Sequence, residues 1–190
     1  MIVCDVDNTL ADLNTVLRVR FPGGADRENR PDWAPVPTAF WATPEGLDLL
    51  EAAAPFSGAA ETLAQLVGRG GVRYVTARPL CAGPLTRIWL ARYGFPDGEV
   101  LTECGGARRA DLAAAFGTRL AIDDDLRAAW EYRILGIPCL LRRQPYNSAD
   151  ICAFSDWRDL RGVLDAAGCG DLVAGAVPGR RRLDRASARA

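Results

Sequence analysis

Apolar positions along this chain fall into two alternating textures. Short apolar runs lie at about 1–5, 71–76, 99–102, 119–123 and 137–142, the length and density expected of strands buried on both faces. Between them the apolar residues recur at helical spacing. EGLDLLEAAA runs from Glu45 to Ala54, and SGAAETLAQLVGRG opens with the candidate cap Ser57 and closes on Gly68 and Gly70. GPLTRIWLARYG ends at Gly94, ARRADLAAAFG ends at Gly117, and a last helix starts near Asp156. Glycine just past a helical run is a stop signal. Strand and helix in alternation predict an α/β fold, a Rossmann-like doubly wound parallel sheet.

One stretch breaks the alternation. Residues 13–54 hold Pro22, Pro31, Pro35, Pro37 and Pro44 together with Phe21, Trp33, Phe40 and Trp41. Proline at that density is poor strand material, so the segment reads as a small helical or irregular cap inserted after the first strand, over the sheet's edge. The core is then expected to be residues 1–12 and 55–167. Trp89 and Trp130 fall within helical patterns and read as packing residues.

Composition narrows the chemistry. The chain has 190 residues, 49% hydrophobic and 25% charged, which suits one core with a modest insertion. It contains no histidine, and all 23 basic residues are arginine. Serine–histidine triads, histidine zinc sites, Schiff-base lysines and the P-loop lysine are excluded on that ground alone. Carboxylates, hydroxyls, thiols, arginines and bound metal remain.

The net charge of −1 conceals an asymmetry, because residues 171–190 carry five arginines against two aspartates. The segment 168–190 is expected to be a flexible, solvated tail, since it lacks aromatic residues and apolar periodicity; neither a nucleic acid polymer nor a membrane is expected as a partner. Six cysteines without a CxxC pair read as reduced thiols rather than a disulfide framework or structural zinc site. The first apolar run reaches Asp5 without a basic leader, and no stretch approaches 18 apolar residues, so a cytoplasmic location is expected.

The acids are the most informative residues. Asp5 and Asp7 close the first strand, and a spacing of two puts both side chains on one side of an extended chain. The run RLAI delivers Asp123, Asp124 and Asp125 to a second strand end. In an open parallel sheet the carboxyl ends of neighbouring strands line the ligand crevice. Carboxylates converging there call for a hard divalent cation, magnesium rather than zinc.

DVDNT (Asp5 to Thr9), Thr76 in YVTARP, a basic residue at the start of RRADL and the final IDDD occur in an order and spacing that resemble the haloacid dehalogenase (HAD) superfamily of phosphohydrolases. The resemblance covers residues 1–142. It implies a magnesium-dependent phosphomonoester hydrolase acting on a small phosphorylated metabolite. Asp5 would be the nucleophile that forms an aspartyl phosphate, and Asp7 the acid that protonates the leaving alkoxide and then activates water. Thr76 and Ala77 would bind the phosphoryl oxygens, with backbone N–H groups around Asn8. Asp5, the Asp7 carbonyl, Asp123 and Asp124 would hold Mg2+. The family usually has lysine in the third motif. Arg109 stands in that place here, with Arg108 as the alternative, and the role is expected to need charge more than the guanidinium fork.

Within the superfamily, PFSGAAETL, VTARP and TRIWLARYGFP are most similar to the deoxy-type 5'-nucleotidase branch. That branch implies nucleoside monophosphates, with Phe40 or Trp41 stacking on the base; simple packing is the alternative for these aromatics. Sugar and polyol phosphates remain as alternative substrates. Arg78 either reaches the substrate or forms a structural salt bridge, and Asp125 reads as a cap of the following helix. Two rival readings are a cysteine phosphatase built on the C-x5-R spacing from Cys81 to Arg87 and a non-catalytic binding protein on the same scaffold.

Overall fold

The computed structural model describes residues 1–21, 36–68, 70–105, 107–147 and 152–166. Trp33, Pro22, Pro31, Pro35, Cys169 and the tail 168–190 lie outside the described residues.

Five strands follow the apolar runs: β1 Ile2–Cys4, β2 Val72–Val75, β3 Gly98–Leu101, β4 Leu120–Asp123 and β5 Cys139–Arg142. A two-residue strand, β6 Ala153–Phe154, completes one sheet in the order β3-β2-β1-β4-β5-β6, with every neighbouring pair parallel. The sequence pattern misses β6 because two residues make no run. Central strands β1 and β4 are buried at every position, whereas edge strand β3 begins with two exposed residues. This is the Rossmann-like doubly wound topology that the alternation predicts. The chain proceeds outward from β1 in both directions, so the order reverses between β1 and β4, where such sheets open a crevice at the carboxyl ends.

The helices are α1 Leu13–Arg20, α2 Pro44–Ala52, α3 Ala59–Val67, α4 Gly83–Arg92, α5 Ala107–Ala115, α6 Leu126–Ile134 and α7 Leu160–Ala166. Asp12 caps α1 by accepting from the Thr15 amide at 3.2 Å. Thr43 caps α2, with Pro44 in its first turn. The cap of α3 differs from expectation: Gly58, at φ 76°, occupies the N-cap and makes no side-chain bond, while Ser57 stays outside the helix. A left-handed cap of this kind suits a residue without Cβ.

Leu13 and Leu17 of α1 and Leu50 of α2 are buried in the same apolar cluster as Ile2, Leu63 and Leu120. Both ends of the insertion region therefore contribute to the main core. Its 3-10 turn at 38–42 and α2 follow a central strand and stand at the carboxyl ends of the sheet. Two tryptophans pin the connections. The Trp89 indole donates to the Ala53 carbonyl at 2.8 Å, and the buried Trp157 indole donates to the Thr9 carbonyl at 3.0 Å. Trp130 does not pack as the sequence suggests: it is 46% exposed on α6. No helix among the described residues is long and apolar enough to cross a membrane.

Candidate active site

Because β2, β1 and β4 are adjacent and parallel, the three segments that follow them meet at one end of the sheet. β1 delivers Asp5 and Asp7, β2 delivers Thr76 to Arg78, and β4 delivers Asp123 to Asp125.

The turn after β1 is tight. The amides of Leu10 and Ala11 both donate to the Val6 carbonyl, at 2.8 and 2.9 Å, and Asn8 adopts φ 57°. Asparagine tolerates this left-handed conformation better than most side chains. Asn8 is fully buried, its amide donates to Ala11 O at 2.7 Å, and its side-chain oxygen accepts from the Asn14 amide at 2.9 Å. Its own N–H is thus committed to the turn and Asn8 is not part of the cavity lining: the residue builds the turn that aims Asp5 and Asp7.

Asp5, Asp123 and Asp124 are buried, and each offers an oxygen within 4.8 Å of the others. Thr9 Oγ1 lies 3.0 Å from Asp5 Oδ2 and 3.3 Å from Asp124 Oδ1. Arg109, only 6% exposed, enters from α5. Its Nη1 donates to both oxygens of Asp123 at 2.8 and 2.7 Å, its Nη2 lies 3.2 Å from Asp5 Oδ1, and its Nε donates to the Cys104 carbonyl at 3.1 Å. Arg108 is exposed. All three guanidinium nitrogens are engaged, so in this structure the shape of the guanidinium is used as well as its charge.

Three buried carboxylates face one buried guanidinium. Burial pushes the Asp5 carboxyl well above its ordinary range; Arg109 opposes this, while Asp123 and Asp124 add to it. Burial also raises Asp123, and it raises Asp124 to about 7, with the charge of Asp123 adding to the shift. The cluster is short of positive charge. A set made only of carboxylate oxygens, under-neutralised and out of water, fits a hard divalent cation such as magnesium. The side chain of Asp7 is not in this triad.

Asp7 faces the other way, toward Arg78. Arg78 Nε lies 3.1 and 3.0 Å from the two Asp7 oxygens, Nη2 donates to Oδ1 at 2.7 Å, and Nη1 donates to Thr86 Oγ1 at 3.1 Å. The salt bridge read for Arg78 is present, and the residue also lines the cavity described below. Thr76 is buried, its hydroxyl lying 3.3 Å from Asp7 Oδ2 and accepting from the Arg78 amide at 3.2 Å.

A cavity of about 840 Å3 opens beside these groups. Asp5, Asp7, Ala77, Arg78, Arg109 and Asp124 line its polar side, and Leu13, Val36, Trp41 and Leu50 line an apolar side. Phe40, the other expected stacking residue, is not part of the lining. It packs edge-on between Phe21, at 6.0 Å, and Trp41, at 5.6 Å. Asp125 caps α6 by accepting from the Arg127 amide at 2.8 Å. Cys81 is exposed in a 3-10 turn that begins five residues after β2, and it lies outside the cavity lining, as does the exposed Arg87. That placement gives a cysteine phosphatase nothing to work with.

The sequence reading missed the loop after β5. Tyr146 donates its hydroxyl to Asp124 Oδ2, Asn147 Nδ2 donates to the Asp124 carbonyl at 2.6 Å, and Gln144 Nε2 donates to the Asn8 carbonyl at 2.7 Å. Burial and the Asp124 charge push the Tyr146 hydroxyl up, which keeps it a donor. The available signal was positional: a polar QPYN segment directly after a strand that must neighbour β4.

No protein-family model matches the sequence, and no curated protein does. Solved structures do. A HAD-superfamily hydrolase of subfamily IA, variant 1, from Geobacter sulfurreducens is 18% identical with a TM-score of 0.58, covering 86% of this chain and 98% of that one. A HAD family hydrolase from Deinococcus radiodurans, solved with bound phosphate and sodium, is 17% identical with a TM-score of 0.58, covering 92% and 97%. A phosphonoacetaldehyde hydrolase-like protein from Oleispira antarctica is 13% identical with a TM-score of 0.59, covering 93% and 95%. The chain therefore has the fold of the HAD-superfamily hydrolases.

Proposed function

We propose that the protein is a magnesium-dependent phosphomonoester hydrolase working through an aspartyl phosphate, with nucleoside monophosphates as its substrates. One observation carries this reading above the others: a buried, charge-deficient carboxylate triad sits at the switch point of a HAD-like sheet, directly beside a cavity large enough for an organic phosphate.

Asp5 is the nucleophile. Its oxygen bonds to phosphorus as the bond from phosphorus to the ester oxygen breaks, and Arg109 holds the carboxylate in place. Asp7, on the cavity wall, gives a proton to the departing alkoxide, then takes one from the water that hydrolyses the aspartyl phosphate and restores Asp5. Arg78 and Thr76 fix the Asp7 carboxylate. A cation held by Asp5, Asp123 and Asp124 would neutralise charge on the phosphoryl group. The segment around Val36, Thr38 and Trp41 forms the cap side of the cavity, and Trp41 favours a flat organic group over a sugar or polyol. The Schiff-base route of phosphonate hydrolysis is closed to a chain without lysine.

The primary test is hydrolysis of p-nitrophenyl phosphate with magnesium, with and without EDTA. Turnover should vanish with EDTA and return on adding excess magnesium; activity that survives chelation would overturn the reading. Asp7→Asn should separate the two acid roles. It should cost about 100-fold or more on an alkyl phosphate, and less on an aryl phosphate whose leaving group needs no proton. Equal losses on both esters would remove Asp7 from the acid role.

A further inference from the structure

What sets Trp130 apart from the other exposed apolar residues is where it lies. Trp130 is 46% exposed, and it lines the same cavity as Asp5, Asp7 and Arg109. It stands on α6, the helix that β4 and the metal-cluster acids lead into. The cavity thus receives one indole from the insertion, Trp41, and one from the core, Trp130. Its volume of about 840 Å3 falls within the range that holds drug-sized ligands, far more than a phosphate group occupies.

The residue beside Trp130 adds a polar element. Glu131 also lines the cavity. Its Oε1 accepts from Arg127 Nε at 3.3 Å, while its Oε2 is buried with no hydrogen-bond partner among the described residues. The side chain is 21% exposed, and Oε1, shared only with the exposed Arg127, keeps the capacity to accept a further hydrogen bond from a ligand N–H or O–H. The contact of Arg133 with the Trp130 ring, at 5.5 Å from the centroid, steadies the indole from the same helix.

We infer that α6 supplies the leaving-group subsite: Trp130 stacks on a planar ring of the substrate, and Glu131 accepts a hydrogen bond from a donor on that ring. The inference rests on the phosphohydrolase reading and narrows it to phosphomonoesters of flat, donor-bearing ring systems, of which the nucleobases are the common kind. It also places part of the specificity on the core rather than on the inserted segment.

The test compares kcat/KM on adenosine and cytidine monophosphates with that on glycerol phosphate, in the wild type, Trp130→Ala, Trp130→Tyr and Glu131→Gln. Trp130→Ala should lower the nucleotide-to-glycerol ratio by about 5- to 150-fold, mostly through KM, the range expected for losing one stacked base. Trp130→Tyr should recover most of the ratio, and Glu131→Gln should lower it less than Trp130→Ala does. An unchanged ratio in Trp130→Ala, or equal loss on both kinds of ester, would overturn the subsite. Calorimetric titration with adenosine and cytidine, which carry no phosphate, separates the two levels of the argument. If the wild type hydrolyses no ester, the phosphohydrolase reading falls, and binding of these nucleosides that disappears in Trp130→Ala would still establish the subsite. No nucleoside binding in the wild type would remove it.

Discussion

Asp5→Asn should abolish turnover, lowering kcat by about 10,000-fold or more, without lowering the melting temperature. A covalent nucleophile has no substitute among the neighbours: Asp123 is held on both oxygens by Arg109, and Asp7 by Arg78. Losses on this scale are typical when the attacking group of a covalent mechanism is removed. Stability should move the opposite way from activity, because asparagine takes away one of three buried carboxylates that repel one another and keeps the shape of the side chain. Thermal melting and single-turnover kinetics on the same preparation check both halves. Residual turnover within tenfold of the wild type would transfer the nucleophile to another residue.

Arg109→Ala should produce the largest loss of stability of any single change in the site. It removes the only cation that contacts both Asp5 and Asp123 among the described residues and leaves those carboxylates buried. Breaking a buried ion pair by deleting one partner costs about 3–5 kcal/mol. Arg108→Ala, on an exposed neighbour, should stay within about 0.5 kcal/mol of the wild type. Arg109→Lys should recover only part of the loss, because a single ammonium cannot reach Asp123, Asp5 and the Cys104 carbonyl at once as the three guanidinium nitrogens do. Urea unfolding in metal-free buffer reads the ranking. Equal losses for Arg108→Ala and Arg109→Ala would mean that the buried geometry is not what stabilises the site.

The parts of this fold that were readable in the sequence are those in which local pattern and tertiary role coincide. Five strands are short apolar runs because a parallel sheet covered on both faces needs them to be, and the acids at the ends of β1 and β4 stand out against those runs. The parts that were hidden depend on distance in space. Trp130 has helical apolar spacing like any core residue, and only the position of the cavity shows that α6 leaves it uncovered. Asn8 carries no pattern that marks it as a turn-builder; its positive φ and the commitment of its amide to Ala11 show that it is one. Tyr146 and Asn147 meet Asp124 across 22 and 23 residues of sequence, through a loop whose polarity alone suggests only solvent.

The central place of β1 has a consequence for how the protein is made. β1, which leads into Asp5, is made before the other strands of this sheet, and its hydrogen-bonding partners begin at Val72 on one side and Leu120 on the other. The turn that follows it is tied down by the indole of Trp157. Such long loops must close before their contacts stabilise anything, which slows folding. Until β2 and β4 have been made, β1 is an apolar segment with two open edges, and its acids lack Asp123 and Asp124 beside them. The site therefore assembles late, and in the interval the chain depends on whatever keeps the strand Ile2–Cys4 from pairing elsewhere.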